Sequence, residues 1–290
     1  MNYRHAFHAG SFADVFKHAI LALLVEALKR KDAPFCLLDV HAGIGRYDLQ
    51  ADQALRTGEA EDGVLRLQGH ALPPELAPYW SAVTTLNPDG GLRWYPGSPR
   101  IARHLMRPHD RLLLAELHPE DAETLEQEFA RDDQVQVRAM DAYIALKALL
   151  PPPERRGLVL IDPPFEVTDE FAQIQQGLTD AWRRWPTGTY AIWYPIKALA
   201  PTRAFHRWVS DNAPGPTLAV ELLIHPADTD ERLNGCGLVI VRPPWKLDEE
   251  LGRLLPFLRD VLAESDGKTE LRWLVKEKSQ PIEASHPWVA

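Results

Sequence analysis

Residues 157–165 read GLVLIDPPF, an aliphatic run that ends in an acid, two prolines and an aromatic ring. Pro163 and Pro164 lack a backbone N–H and have a fixed φ, so they hold the chain extended past the strand end and hold Asp162 in place. Proline removes donors but leaves carbonyls. The Asp162 carboxylate and the Pro163 carbonyl can therefore stand side by side as two acceptors, and Phe165 adds a flat apolar face. Two acceptors beside a stacking ring suit the exocyclic amine of a planar base. The amine gives its two hydrogens to the acceptors, and its lone pair is drawn out of conjugation and aimed at an electrophile, with the base extruded into a pocket. The chain carries an internal comparison at 238–245, LVIVRPPW, where Arg242 stands in place of the acid and no such acceptor pair forms. A strand followed by two prolines can thus be purely structural, and the motif needs its neighbours to be read.

Three other strand ends supply them. The segment HAGIG (41–45) follows an apolar run, and glycines such as Gly43 let backbone approach a ligand with no Cβ in the way. It is not a dinucleotide fingerprint, because Asp48 stands where a third glycine would be, and no GxxxxGK[ST] loop exists. Glu116 ends a second apolar run, where a carboxylate can accept both hydroxyls of a ribose; it also reads as an ordinary surface acid. Asp141 follows a third run and could be no more than a helix N-cap. In open α/β sheets, ligands bind outside the carboxyl ends of the strands. A GxG, then Glu, then Asp, then DPPF, on successive strand ends, together describe an S-adenosylmethionine pocket with an amine-modifying motif.

The elements that must position these residues follow from periodicity. Residues 11–31 read as an amphipathic helix capped by Ser11. Buried strands are expected at 35–40, 111–117, 135–140, 157–161, 189–194, 218–224 and 237–241. Helical patterns lie between them at 119–131, 141–150 and 168–185, with a further helix at 247–264 and a strand at 269–275. Alternating strands and helices imply a mostly parallel sheet covered on both faces. The runs at 218–224 and 237–241, joined by a polar loop, read as an antiparallel pair at the sheet edge. The interval from Gly45 to Glu116 exceeds the usual ~20-residue spacing to a ribose-binding acid by roughly 50 residues. The extra length falls in a stretch rich in turn residues. The expected class is α/β, a Rossmann-like sheet with an antiparallel edge strand. Residues 1–46 and 97–290 would form the core, and 47–96 a small, partly helical inserted subdomain. The tail from SQPIEASHPWVA onward reads as loose.

The composition bounds the function. The chain has 290 residues, 45% hydrophobic and 25% charged, as in an ordinary folded protein. No apolar run reaches the ~18 residues of a membrane span, and no signal pattern opens the chain. Two cysteines, Cys36 and Cys236, are too few for a disulfide framework, which points to a reducing cytoplasm. A net charge of −9 argues against binding a polyanion over the whole surface, but leaves room for local basic patches. Residues 1–31 hold one, with Arg4, Lys17, Lys29, Arg30 and Lys31. Residues 93–107 hold another, with Arg93, Arg100, Arg103 and Arg107 beside Trp94 and Tyr95. Lys17 and His18 taken alone read as a solvated helix face. His5 and His8 lack the cysteines or acids that would complete a metal site, so no metal is expected.

The segments YRHAFHAGSFADVFKH (3–18), LLDVHAGIGRY (37–47), YPGSP (95–99), AELHP (115–119), RRGLVLIDPPF (155–165), TGTYAIWYP (187–195) and PPWKL (243–247) together resemble the ribosomal large-subunit RNA adenine-N6 methyltransferase J family, over essentially the whole chain. The resemblance implies a class I methyltransferase fold and transfer of a methyl group from S-adenosyl-L-methionine to N6 of one adenine in 23S rRNA. It implies that Asp162, with Pro163 and Phe165, forms the catalytic motif. His18, His41, Gly43, Ser98, Glu116, Asp141, Ala142 and Asp162 would line the cofactor site, and Tyr3, Arg4, His5 and Lys17 would meet the RNA. A monomer acting on free or partly assembled 23S rRNA, with no DNA and no membrane partner, is the matching expectation. Phe165 stands where that family commonly has tyrosine, and Ala142 where glycine is expected. Alternatives on the same sheet are methylation of guanine N2, of DNA adenine or of a protein amide; a non-catalytic RNA-binding assembly factor is the alternative of another class.

Overall fold

In the computed structural model, residues 4–166, 169–227, 231–263 and 266–277 are described. Tyr3 and the expected loose tail lie outside them. The strands are β1 (Cys36–Asp39), β2 (Arg46–Asp48), β3 (Trp94–Pro96), β4 (Arg111–Glu116), β5 (Val135–Ala139), β6 (Gly157–Ile161), β7 (Thr189–Ile196), β8 (Thr217–Leu223), β9 (Gly235–Val241) and β10 (Lys268–Val275). The helices are α1 (Phe12–Lys29), α2 (Asp52–Thr57), α3 (Ala77–Thr85), α4 (Ser98–Leu105), α5 (Pro119–Glu128), α6 (Ala142–Leu149), α7 (Glu170–Arg184), α8 (Leu199–Asn212) and α9 (Leu247–Leu262).

The main sheet has the order β10-β8-β9-β7-β6-β1-β4-β5. The five strands from β5 to β7 are parallel neighbours, with Leu38 of β1 opposite Leu113 of β4 and Val159 of β6. β9 then runs antiparallel to β7 and to β8, and β10 antiparallel to β8. The expected mostly parallel α/β sheet with antiparallel strands toward one edge is present. The expected pairing of β8 with β9 is present, but the pair does not form the edge. β9 inserts between β7 and β8, and β10 is the edge strand. The burial patterns give the reason. β9 is buried along its whole length, as a strand flanked on both sides must be, whereas β10 alternates exposed and half-buried residues.

α1 departs from the expected amphipathic helix. Ser11 caps it as expected, its Oγ accepting from the Asp14 N–H at 3.4 Å. Yet nearly all of its circumference is buried, including Lys17 at 4% and His18 at 1% exposure, so the solvated-face reading of these two residues is wrong. α1 lies between the sheet and a layer made by α3, α4 and α9, and a helix covered on every side is apolar all round.

β2 and β3 pair as a short antiparallel ribbon, with Tyr47 opposite Tyr95. Between them run α2, α3 and short 3₁₀ turns, and Val64, Leu67, Leu76, Tyr79 and Val83 share one hydrophobic cluster with α1. α8 was missed by the periodicity reading. Its buried stripe is Thr202, Phe205, His206 and Val209, at helical spacing but half polar, so the apolar signal is faint.

Candidate active site

The carboxyl ends of β1, β4 and β6 open onto a cavity of about 630 Å³. His5, Lys17, His18, His41, Gly43, Ser98, Glu116, Asp141, Ala142, Asp162, Pro163 and Phe165 all line it. Their chain positions span 160 residues of sequence, and the sheet brings them together. Arg4 stands outside the lining, where its guanidinium pairs with Glu120 and Asp121 of α5, 2.6 Å from each.

β1 ends in Asp39, which is fully buried and accepts from Ser98 Oγ at 2.6 Å and from the His41 N–H at 3.1 Å. Burial pushes its carboxyl up to about 6. The next turn brings Gly43 into the left-handed region at φ +60°. A Cβ there would come within 2.2 Å of the Tyr47 hydroxyl, so the turn demands glycine and leaves the backbone open to the cavity. Glu116, 8% exposed at the end of β4, receives the Gly43 N–H on Oε2 and the His118 N–H on Oε1, each at 2.8 Å. Each oxygen keeps a lone pair, so the carboxylate can still accept two hydroxyls. Asp141 does cap α6, through the N–H groups of Tyr143 and Ile144 at 2.9 and 3.0 Å, but it lines the cavity as well. Capping and a ligand role are compatible in one carboxylate.

The DPPF segment leaves β6 at the cavity floor. The Asp162 N–H donates to His41 Nδ1 at 3.2 Å, and burial holds the His41 imidazole at about 4, in its neutral, accepting form. Phe165 takes φ +50°, a left-handed conformation unusual for an aromatic residue, and is the point where the extended proline run turns. Its ring packs edge-on against Phe171 and Trp193, with centroids at 5.0 and 5.9 Å. Two neighbouring rings thereby fix its plane. The comparison motif at the end of β9 behaves differently. Arg242 donates to the carbonyls of Pro186 and Pro214 and stitches loops together, away from the cavity.

Three features went unread in the sequence. Asp14, one turn before Lys17 and His18, reads there as a first-turn acid of a helix. In the fold it is a buried hub: Lys17 Nζ sits 2.9 Å from Oδ1, and His5 Nε2 and the Gly10 N–H sit 2.9 Å from Oδ2. Burial opposes its ionisation, but His5 and Lys17 outweigh this and hold the carboxyl well below the usual range. Lys17 also bonds Asp162 Oδ2, and the two carboxylates outweigh burial to hold its ammonium well above the usual range. Trp193 and Lys197, from β7 and the turn after it, complete the wall. No spacing marked either one.

The expected basic patch at 93–107 is neutralised. Arg93 pairs with Asp48, Arg100 with Glu128, Arg103 with Asp132 and Arg107 with Asp110. Asp110 is three residues from Arg107, but the other three acids lie 28, 29 and 45 residues from their arginines, so composition over a short window could not show the pairing. Among the described residues, Lys197 is an exposed lysine on the cavity wall with no acid partner.

A family model described as "RsmJ: Ribosomal RNA large subunit methyltransferase D, RlmJ" matches residues 32–275. The chain is 42% identical to Ribosomal RNA large subunit methyltransferase J of Escherichia coli (strain K12) over 280 residues, covering 96% of this chain and 100% of the relative. It is 40% identical to the protein of the same name from Haemophilus influenzae (strain ATCC 51907 / DSM 11121 / KW20 / Rd) over 281 residues, with the same coverage. The crystal structure of a Legionella pneumophila str. Philadelphia 1 protein, 34% identical, superposes with a TM-score of 0.85 over 91% of this chain and 98% of that one. With that identity sustained over nearly its whole length, the chain belongs to the ribosomal RNA large subunit methyltransferase J family.

Proposed function

We propose that this protein transfers the methyl group of S-adenosyl-L-methionine to the exocyclic N6 amine of a specific adenine in 23S rRNA. One observation carries the reading: the acceptor motif Asp162–Pro163 with the fixed ring of Phe165 shares a single cavity with the half-satisfied carboxylate of Glu116. The residues fit the cofactor. Glu116 offers two acceptors for vicinal hydroxyls, the Gly43 turn lines the cavity, and acids outnumber lysines along the wall, which suits a sulfonium cation. The chemistry the cofactor supplies is an electrophilic methyl group. His18, His41, Ser98, Asp141 and Ala142 complete its wall in this reading, and Asp162 and the Pro163 carbonyl hold the amine while Phe165 stacks on the base. Arg4 and His5 hold the RNA at the rim, and Tyr3, outside the described residues, is kept as a further contact to the RNA. Lys17, buried between two acids, can act only on a base inside the cavity and not on phosphates outside it. We keep residues 47–96 as an inserted unit on a core of 1–46 and 97–290, acting as a monomer.

Incubation with labelled S-adenosylmethionine and unmodified 23S rRNA, followed by nucleoside analysis, tests this reading directly. N6-methyladenosine is expected; N2-methylguanosine would transfer the reaction to guanine, and absence of label would end the enzymatic reading. Glu116→Ala should weaken cofactor binding by about 2–3 kcal/mol, the loss for hydrogen bonds to a charged group. Unchanged affinity in titration calorimetry would take Glu116 out of the site. Lys197→Ala should raise KM for rRNA and lower the slope of log affinity against log salt by about one phosphate contact, ~0.7–0.9. A salt slope equal to wild type would show that Lys197 meets no phosphate.

A further inference from the structure

We propose that Asp14 is a positioning residue of the methyl-transfer site, which shares the ammonium of Lys17 with Asp162 and takes it over when the target amine arrives. The inference rests on the functional reading above and names a residue that reading leaves idle. Asp14 and Lys17 sit one turn apart on α1, on the same face. Both are buried, at 1% and 4% exposure. Lys17 Nζ bridges Asp14 Oδ1 and Asp162 Oδ2.

That bridge places a donor on one oxygen, Oδ2, of the carboxylate that an exocyclic amine in this cavity would address. Amine and ammonium are both N–H donors, and an ammonium held on Oδ2 draws off the negative charge that the amine nitrogen needs as it is methylated. Displacing a buried ammonium with nothing else to hold it is strongly unfavourable, because it leaves an uncompensated charge away from water. Asp14 removes that obstacle, since Lys17 is already bonded to it and keeps a counter-ion after leaving Asp162. In the free protein the same ammonium keeps Asp162 from standing as an unpaired acid. Asp14 is itself held from the other side by the Gly10 N–H and by His5, so its Oδ1 stays aimed at Lys17. His5 belongs to the N-terminal segment, and through Asp14 that segment touches the pair at Asp162 by one residue.

A double-mutant cycle on Asp14→Asn and Lys17→Met, read by single-turnover methylation of 23S rRNA, tests the idea. Asn keeps the shape and loses the charge, which leaves Lys17 wholly on Asp162. The rate should fall about 10–100-fold, the worth of one charge-assisted hydrogen bond. Affinity for S-adenosylhomocysteine should move by no more than about 3-fold, because Lys17 is not among the groups that hold the cofactor in this reading. In the Lys17→Met background, Asp14→Asn should change the rate by less than about 3-fold, since coupled residues are not additive. An equal loss in both backgrounds, or a wild-type rate in Asp14→Asn, overturns the proposal. A structure of the unsubstituted protein with S-adenosylhomocysteine and an adenosine-bearing RNA fragment gives a test independent of how the variants fold. Lys17 Nζ should then contact Asp14 and not Asp162, and an intact Lys17–Asp162 pair beside the bound base overturns the proposal. An unsubstituted protein that fails to methylate RNA removes the functional reading together with this one; an active protein with an additive cycle removes this one alone.

Discussion

Asp162→Asn should fold normally, bind S-adenosylmethionine within a few-fold of wild type and lose about 10²–10³ in methyl-transfer rate, the scale for one preorganised electrostatic group. Adenine N6 is a poor nucleophile because its lone pair is spread into the ring. The nitrogen must become pyramidal as the methyl group arrives, and positive charge then grows on it. A carboxylate held against it stabilises that charge where it develops, and no proton need leave first. Asn keeps one acceptor and the shape of the side chain but not the charge. The fold should tolerate the change, because Lys17 retains Asp14 as a counter-ion and the backbone bond from the Asp162 N–H to His41 is untouched. Phe165→Tyr should remain active, since the base needs the ring face and Phe171 and Trp193 still fix its plane. Single-turnover methylation of 23S rRNA reads both variants. A fully active Asp162→Asn protein would mean that DPPF, like RPPW, is only the way a strand ends.

Deletion of residues 1–8 should cost methyl transfer ~10²-fold or more, the scale on which a reacting group is lost from its proper place. The melting temperature and cofactor binding should change little. The segment is tied down by the pairs of Arg4 with Glu120 and Asp121, of His5 with Asp14 and of His8 with Glu59. Arg4 and His8 are partly exposed, and such pairs contribute little to stability. Asp14 keeps Lys17 and the Gly10 N–H after the cut, so α1 should hold its start. His5 and His8 line the cavity mouth, and the deletion opens it on the side where a base must be held. Methyl transfer at the wild-type rate, with calorimetry and thermal melting as controls, would show that the segment has no part in the reaction.

The sequence alone determined the strands that carry the chemistry. GLVLI, and the LLLA inside RLLLAE, are continuously apolar because both faces of a parallel sheet are covered, and this pattern is local. It also determined the candidate wall. Gly43, Glu116, Asp141 and Asp162 each sit at a strand end, and in an open α/β sheet strand ends converge on one edge. Tertiary structure alone decided what those groups face. That β9 enters the sheet ahead of β8, and that β10 forms the edge, depends on competition among strands of similar apolar content, which no single run encodes. Lys17 and His18 became interior groups only because α3, α4 and α9 cover the outer side of α1, and a helix cannot show in its own spacing what will be packed on its far side. The arginines of 93–107 lost their patch to acids up to 45 residues away, and Lys17, bonded to Asp14 one turn before it, also met Asp162, 145 residues away. Burial and charge pairing are properties of neighbours in space. The sequence fixes which ionisable groups exist, and the packing decides which remain free to act.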